Sequence, residues 1–189
     1  MIKNLLQALR LTLVCLVLLT AIYPLVVQGL SYITPLQGQA ETILSNDQKQ
    51  YLLLAQDFHS PNYFQPRPSA INYNAAGSAG SNKGPTNTEY LQLVQARIDT
   101  FLKRNPEVKK EDIPSDLVTA SGSGIDPNIS VQAAKVQVKR IAKTRNINEA
   151  IIFQIIEQNT DKPLLGLLGP EKINVLNLNQ SIDNITNLK

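Results

Sequence analysis

Residues 11–30 read LTLVCLVLLTAIYPLVVQGL, and this stretch decides the architecture of the 189-residue chain. From Leu11 through Ala40 there is no charged residue and no histidine, and leucine, valine and isoleucine fill twelve of the positions in 11–30. A helix of this length rises about 30 Å, which is the thickness of the hydrocarbon core of a bilayer. The stretch therefore predicts a transmembrane helix at residues 11–30.

Proline interrupts the hydrogen-bonding pattern of this helix. Pro24 has no N–H to donate to the carbonyl of Thr20, so one backbone hydrogen bond is missing. Neighbouring hydroxyl groups can relieve such a loss in a membrane helix, and Thr20 carries one. We expect a kink at Pro24 and no break.

The flanking charges indicate the orientation of this helix. Lys3 and Arg10 precede it, and the next basic residue is Lys49. Because basic residues accumulate on the cytoplasmic side, we expect a short cytoplasmic N-terminus at residues 1–10. The chain is then single-pass, and everything after the helix is extracytoplasmic.

After the helix, we expect a linker at residues 31–41 and one soluble domain at 42–189. A cleaved signal peptide is the alternative, because Gly38, Gln39 and Ala40 offer small residues at a cleavage spacing. The apolar run exceeds the roughly 7–15 residues of a usual signal peptide, which favours a retained anchor.

Composition excludes several classes of function. From Glu41 onward, 16 basic residues face 15 acidic ones, and the chain has no tryptophan, so a nucleic acid partner is not expected. Cys15 lies in the apolar stretch and His59 has no histidine or cysteine partner nearby in sequence, so no metal site is expected. No Gly-x-Ser-x-Gly motif supports a hydrolase, and we expect no catalytic residues.

Apolar runs and turn signals predict a mixed domain after the linker. We expect an antiparallel hairpin in which strands at 42–44 and 51–55 flank a polar turn. Thr86 and Glu89 form a capping-box pattern that predicts a helix ending near Asn105. The remaining expected elements are a strand at 117–119, a helix capped by Ser130 and running to Lys143, a helix capped by Asn148, a turn at 164–169, and a strand at 173–178 followed by a short tail. The order of helices and strands indicates an α+β domain on a single membrane helix.

Two loops separate these elements. Residues 58–86 contain several prolines and glycines, and residues 120–130 are rich in small residues. Loops longer than about 12–15 residues are uncommon in compact domains unless they bind something. Gly84 leads through Pro85 and Thr86 into a helix N-terminus, which favours an anion, although glycines in ordinary turns explain the same composition. These loops are the candidate functional region.

The loop motifs taken together resemble the KdpC family, a subunit of the Kdp high-affinity potassium-transporting P-type ATPase. The matching motifs are YFQPRPSA at 63–70, Tyr73-Asn74, SAGSNKGPTN at 78–87, PSDLVTASGSGIDPNIS at 114–130, Ala133-Ala134, Gln137-Val138, Arg145, Leu168-Gly169 and Asn174-Val175-Leu176. They occur in order and cover nearly the whole chain.

The resemblance implies an accessory, non-hydrolysing subunit in a bacterial plasma (inner) membrane. Its partners would be the potassium-channel-like subunit and the ATP-hydrolysing subunit of the Kdp complex, together with membrane lipid. It also implies a catalytic chaperone that assembles or stabilises the complex and raises the ATP affinity of the pump subunit. No cofactor would be tightly bound, and ATP would take part only in a transient complex with the pump subunit.

The resemblance also assigns residues. The nucleotide-contacting candidates are Ser78, Gly80, Ser81, Asn82, Gly84 and Thr86. The partner-interface or structural candidates are Arg67, Pro68, Asn87, Ser121, Gly122, Ser123, Gly124, Asp126 and Pro127. Ala79 stands where the family has the first of two central glycines, and Gly77 replaces the preceding glutamine.

The expected topology conflicts with direct nucleotide binding. The charge rule places the loops outside, whereas a P-type pump binds ATP on the cytoplasmic side. We expect an indirect effect, in which the external domain biases two states of the transport complex and ATP affinity changes by linkage. Without the resemblance, an extracytoplasmic membrane-anchored ligand-binding or sensor domain is the alternative interpretation.

Overall fold

The computed structural model describes residues 2–186 with the exception of residues 46 and 47. The turn at the tip of the expected hairpin therefore lies partly outside the described residues. The structure divides into two compact units, with the boundary between Glu41 and Thr42.

The first unit contains one long apolar helix. Helix α1, Ile2–Val17, continues through a π-helical turn, Leu18–Ile22, into α2, Tyr23–Ser31. The combined helix Ile2–Ser31 has 30 residues and a mean hydropathy of 2.3, and within the described part of the chain it alone is long and apolar enough to cross a membrane. It begins earlier than the expected residue 11, so Lys3 and Arg10 are helical.

The helix is not broken at Pro24. The N–H of Tyr23 donates to the carbonyl of Leu18, five residues earlier, so the helix is widened in the turn that precedes Pro24. The Thr20 hydroxyl donates to the carbonyl of Leu16 at 2.6 Å. The helix therefore adapts to proline mainly by a π turn.

The second unit is a mixed α and β domain, as expected. Its strands are β1 Thr42–Ser45, β2 Gln48–Tyr51, β3 Asn128–Ile129, β4 Thr160–Asp161 and β5 Lys172–Asn174. Its helices are α3 Thr88–Arg104, α4 Val131–Lys135, α5 Val138–Arg145, α6 Glu149–Gln158 and α7 Val175–Thr186, with short 3₁₀ turns at Lys110–Asp112 and Ser115–Leu117. Strands β1 and β2 form an antiparallel hairpin, and β5 lies between β3 and β4 in an antiparallel sheet.

The hydrophobic core lies between this small sheet and helices α4 to α7. Its largest fully buried side chains are Phe64, Ile141, Ile152, Ile156, Ile173, Leu178 and Ile182. Phe64 belongs to the proline-rich loop and has no exposed surface. The loop is thus anchored in the core and is part of the fold.

Two of the three expected helix caps are confirmed, and the third is shifted by one residue. The side chains of Ser130 and Asn148 accept hydrogen bonds from the first turns of α4 and α6. Helix α3 is capped by Asn87, whose side chain accepts from Tyr90 N at 2.9 Å, so the assignment to Thr86 is wrong. Asparagine in extended backbone is as good a cap as threonine.

Two expected elements are corrected by local side-chain hydrogen bonds. The helix expected from 131 to 143 is divided, because Gln137 Nε2 donates to the carbonyl of Ala133 and the Gln137 N–H donates to Ala134. The strand expected at 117–119 is a 3₁₀ turn, in which the Thr119 N–H and hydroxyl both donate to the carbonyl of Ser115.

The end of the chain differs most from expectation. The strand expected at 173–178 stops at Asn174, whose side-chain oxygen accepts from the N–H groups of Leu176 and Asn177 and so starts α7. Likewise, the second hairpin strand is Gln48–Tyr51 and not 51–55, where Leu52 and Ala55 are buried in a turn. Short apolar runs do not distinguish a strand from a buried helix or turn.

Candidate functional site

The predicted site residues lie on two loops that pack against each other. We call residues 52–87 the long loop and residues 119–127 the serine-glycine loop. Three backbone hydrogen bonds join them: Ser121 N to Pro68 O at 3.1 Å, Ala79 N to Ser123 O at 3.0 Å, and Ala55 N to Ile125 O at 2.9 Å. The structure therefore brings the separate sequence motifs into one layer.

An ion pair reinforces this layer. Arg67 Nη1 lies 2.9 Å from Asp126 Oδ2, and the two side chains are 27% and 29% exposed. The other oxygen of Asp126 accepts from the N–H of Asn128 at 3.0 Å, which orients the carboxylate. Arg67, fixed between two prolines, also accepts at its carbonyl a hydrogen bond of 2.9 Å from the hydroxyl of Tyr73. The pair connects the two loops within the chain.

Glycine is required where the loops approach most closely. Gly124 has φ +73°, and a Cβ placed there would lie 2.7 Å from both the carbonyl oxygen of Ala79 and Cγ1 of Ile71. A Cβ on Gly80 would lie 3.0 Å from the carbonyl oxygen of Gly122. The SGSG and AGS motifs therefore permit close backbone contact.

Serine hydroxyls complete the contact between the loops. Ser69 donates to the carbonyl of Gly124 at 2.6 Å, and within the serine-glycine loop Ser121 accepts from the N–H of Gly124 at 2.9 Å. Ser78 donates to the carbonyl of Ser123 at 3.1 Å. Beyond the layer, the carbonyl of Pro127 accepts from Val175 N at 2.9 Å, which ties the serine-glycine loop to α7.

The six nucleotide candidates divide into two groups. Ser78 and Gly80 contact the serine-glycine loop, as described above. Asn82, Gly84 and Thr86 are exposed, and Ser81 is half-buried. Between them, Lys83 pairs with Glu89, and this hydrogen bond, followed by the charge of Lys83, lowers the pKa of Glu89. Residues 81–86 thus form an exposed rim beside the N-terminus of α3.

A buried arginine that the sequence analysis missed fixes the start of the long loop. Arg140, on α5, is 9% exposed, and its guanidinium donates to the carbonyls of Pro61 and Tyr63. It also donates to the side-chain oxygens of Asn105 at 2.9 Å and Gln137 at 2.7 Å. Burial, and then the charge of Arg104, lower the pKa of Arg140 to about 10. One side chain therefore joins the long loop, α3 and α5.

Two buried amides extend this anchorage. Asn179, on α7, accepts from Phe64 N at 2.8 Å and donates to Phe64 O at 3.0 Å. Gln137 accepts from Gln65 N at 2.9 Å. These side chains supply the hydrogen bonds that a neighbouring strand would otherwise make to the backbone of residues 64–65.

A sequence signal for these residues exists in the helical spacing. Gln137 lies three residues after Ala134 and four before Ile141, so it falls on the apolar face expected for that helix. Asn179 lies four residues after Val175 and three before Ile182, which is also helical spacing, but this segment was expected to be a strand and a tail. A polar residue on an apolar helical face indicates a buried hydrogen-bonding role.

Arg145 and Asp183 form a second contact with the same segment. Arg145 Nη2 lies 2.7 Å from Asp183 Oδ1, and its guanidinium lies over the ring of Tyr63 at 4.8 Å. Arg145 Nε donates to the carbonyl of Asn62 at 2.7 Å, and the hydroxyl of Tyr63 donates to Asp183 at 3.2 Å. The resemblance included Arg145, and the structure gives it this role of holding the loop.

Comparison with known proteins gives a consistent result over the whole chain. The family model described as KdpC, K+-transporting ATPase, c chain, matches residues 5–184. A potassium-transporting ATPase KdpC subunit of Flavobacterium johnsoniae is 52% identical over 184 residues, covering 97% of this chain and 99% of the relative. The corresponding subunits of Flavobacterium psychrophilum and Bacteroides fragilis are 47% and 43% identical, with 97% and 98% of this chain and 99% of each relative covered.

Proposed function

Because the chain belongs to the KdpC family, the c chains of K+-transporting ATPases, we propose that it is a non-hydrolysing accessory subunit of an ATP-driven potassium import complex. In this proposal the domain assembles or stabilises the complex with the channel-like and ATP-hydrolysing subunits. It also raises the ATP affinity of the pump subunit as a catalytic chaperone.

The observation that carries the proposal is the internally fixed pair of loops. The Arg67–Asp126 ion pair at 2.9 Å and the serine hydroxyls use their hydrogen bonds within the chain. A surface of this kind is preorganised, so little conformational entropy is lost when a partner binds it. This favours a docking surface that acts on a partner subunit.

Co-purification tests this role of the loops. The variants Arg67→Ala and Asp126→Ala break the contact between the loops, and we expect less of the channel-like and pump subunits to co-purify with the full-length chain. Lys135→Ala is the control, because Lys135 is exposed on α4 outside both loops. Normal recovery of partners with folded Arg67→Ala and Asp126→Ala chains would show that the layer does not contribute to assembly.

We propose that the helix Ile2–Ser31 anchors the chain in the inner membrane with its N-terminus in the cytoplasm and the domain outside. Lys3 and Arg10, the only basic residues before Lys49, support this orientation. An effect on ATP affinity would then reach the cytoplasmic nucleotide site through the partner subunits. Linkage of this kind requires the domain to contact two states of the complex differently.

Accessibility labelling in intact cells tests the orientation. In a Cys15→Ser background, Ala75→Cys places a thiol on the exposed part of the long loop and Asn4→Cys places one before the apolar span. We expect a membrane-impermeant maleimide to label Ala75→Cys in intact cells and Asn4→Cys only after the membrane is opened. The reverse pattern would place the domain in the cytoplasm.

Direct contact of ATP with residues 78–86 is the second candidate, favoured by the exposed rim of Asn82, Gly84 and Thr86 beside the N-terminus of α3. Titration of the full-length chain with ATP, alone and together with the pump subunit, distinguishes direct contact from an effect transmitted through the partner subunits. If ATP binds the chain alone at millimolar concentration and Asn82→Ala weakens binding, the contact is direct. If ATP affinity rises only in the complex and is unchanged by Asn82→Ala, the effect is transmitted.

A further inference from the structure

A cleft of about 320 Å³ lies between the end of α3 and α5, and of its lining residues Pro61 alone belongs to the two packed loops. Five cationic side chains and one carboxylate line it: Lys103, Arg104, Lys139, Arg140, Lys143 and Glu107. We call it the basic cleft. From Glu41 onward the chain has 16 basic and 15 acidic residues, so this local excess is a property of the cleft and not of the domain.

Most of this positive charge has no internal partner. Lys139 pairs with Glu107 at 3.2 Å, which accounts for the one carboxylate. Among the described residues, the side chains of Lys103, Arg104 and Lys143 have no hydrogen bond or ion pair. Three unpaired cations around one concave surface raise the local concentration of anions.

Buried Arg140 adds a fixed charge to the wall of the cleft. Its guanidinium donates to backbone carbonyls and to the side-chain oxygens of Asn105 and Gln137, which are all uncharged. Burial and the repulsion of Arg104 both lower the pKa of Arg140, in agreement with a positive environment. The guanidinium donors of Arg140 therefore have hydrogen-bond acceptors, but no carboxylate neutralises its charge.

We propose that the basic cleft binds a phosphate-bearing anion. Its volume falls within the range of small-molecule sites, and its concave shape suits a compact ligand better than a flat acidic protein surface. Lys103, Arg104 and Lys143 supply charge-assisted donors for the phosphate oxygens. Pro61, Val108 and Val136 line the rest of the cleft and suit the carbon skeleton of a phosphate ester.

Calorimetric titration of the full-length chain in neutral detergent, with inorganic pyrophosphate as the probe at constant ionic strength, tests the site. We expect saturable binding, and we expect Lys103→Ala/Lys143→Ala to raise the dissociation constant at least about tenfold. The matched control Lys109→Ala/Lys110→Ala removes the same charge from the adjacent segment outside the cleft, and we expect it to bind like the unaltered chain. Absence of saturable binding, or equal weakening in both double variants, would overturn the proposal.

A second arm identifies the source of the phosphate group. The same titration is made with the chain in nanodiscs of phosphatidylglycerol and of phosphatidylcholine. Weaker pyrophosphate binding in phosphatidylglycerol alone would assign the cleft to an anionic lipid headgroup, and equal binding in both would assign it to a soluble phosphate ester. Neither result depends on the assembly or nucleotide experiments, because the residues that are substituted in those experiments do not line the cleft.

Discussion

Two segments of the long loop, which we call its first and second ends, are fixed by different chemistry. Residues 61–65 are held by buried side chains, namely Arg140, Gln137 and Asn179, which donate to and accept from the backbone of the loop. Residues 78–80 are held mainly through backbone groups that meet the serine-glycine loop, and residues 82–86 are exposed.

The first end of the loop therefore contributes mainly to the stability of the domain, whereas the second end leaves side chains exposed for binding. At the first end, loss of one side chain leaves several buried polar groups without partners, which is costly. At the second end, the constraint is on backbone conformation, so the side chains of residues 82–86 remain exposed to solvent. Substitutions at the two ends should therefore have different effects on folding and on assembly.

Arg140→Ala should have the largest effect on folding. It removes the donors to Pro61 O, Tyr63 O and Asn105 at once, and we expect the free energy of unfolding to fall by at least about 3 kcal/mol. Urea titration of the full-length chain followed by circular dichroism measures this change.

Two further variants separate geometry from charge at this position. Arg140→Lys keeps a cation but cannot reach the same acceptors, so it should be nearly as unstable as Arg140→Ala. Lys139→Ala is the matched control on the same helix, with a half-exposed side chain and one surface ion pair, and should stay within about 1 kcal/mol of the unaltered chain. A stable Arg140→Lys chain would show that charge alone anchors the loop.

Asn179→Ala should destabilise the domain less, by about 2 kcal/mol, because only the N–H and the carbonyl of Phe64 lose their partners. The same urea titration measures it. Asn177→Ala on the same helix is the control, since the hydrogen bonds of Asn177 involve its backbone. Equal stability of the two variants would mean that Phe64 stays anchored by its apolar contacts alone.

Much of the fold was predictable where the signal is local. Caps at Ser130 and Asn148 depend on residues within one turn of the helix, and the apolar run at 11–30 needs no tertiary information. The mixture of helices and strands in the domain also follows from periodicity. These features are confirmed by the structure.

The elements that were not predicted combine local side-chain hydrogen bonds with contacts between distant residues. Asn174 ends β5 and begins α7 by capping it, and Gln137 divides α4 from α5 while it binds the long loop. The anchoring role of Arg140 needs Pro61 and Tyr63 to come within reach, and sequence spacing does not reveal that. By contrast, the Arg67 and Asp126 motifs were singled out from sequence, and the structure pairs them.

Gly124→Ala tests the second end of the loop. The left-handed conformation at φ +73° and the overlap with Ala79 O should cost about 1–2 kcal/mol, and relief of the overlap requires the two loops to separate. Thermal unfolding measures the cost, and co-purification of the partner subunits measures the change in the surface.

Gly122→Ala provides the matched control for this substitution. A Cβ at Gly122 meets no atom of this chain within 4 Å, so this variant should fold normally. If Gly122→Ala and Gly124→Ala behave alike, close backbone contact at Gly124 is not what holds the loops together.

The smallest expected effect is a pH dependence at Tyr73, whose hydroxyl donates to Arg67 O. Burial, and then the charge of Asp57, raises the pKa of Tyr73 to about 12, while Arg97 lowers it. In the unfolded chain the pKa of tyrosine is about 10, so the folded state binds this proton more tightly. The contribution of Tyr73 to stability is therefore complete below about pH 10 and is lost as the pH rises towards about 12.

Comparison of the unaltered chain with Tyr73→Phe isolates the titration of Tyr73. The other tyrosines and the lysines titrate in both chains, so their effect cancels. The unaltered chain should be the more stable at about pH 9, and its advantage should shrink at about pH 11.5, as measured by urea midpoints at both values. If the two midpoints fall in parallel, the Tyr73 hydroxyl titrates alike in the folded and unfolded chains, and its hydrogen bond to Arg67 O does not stabilise the long loop.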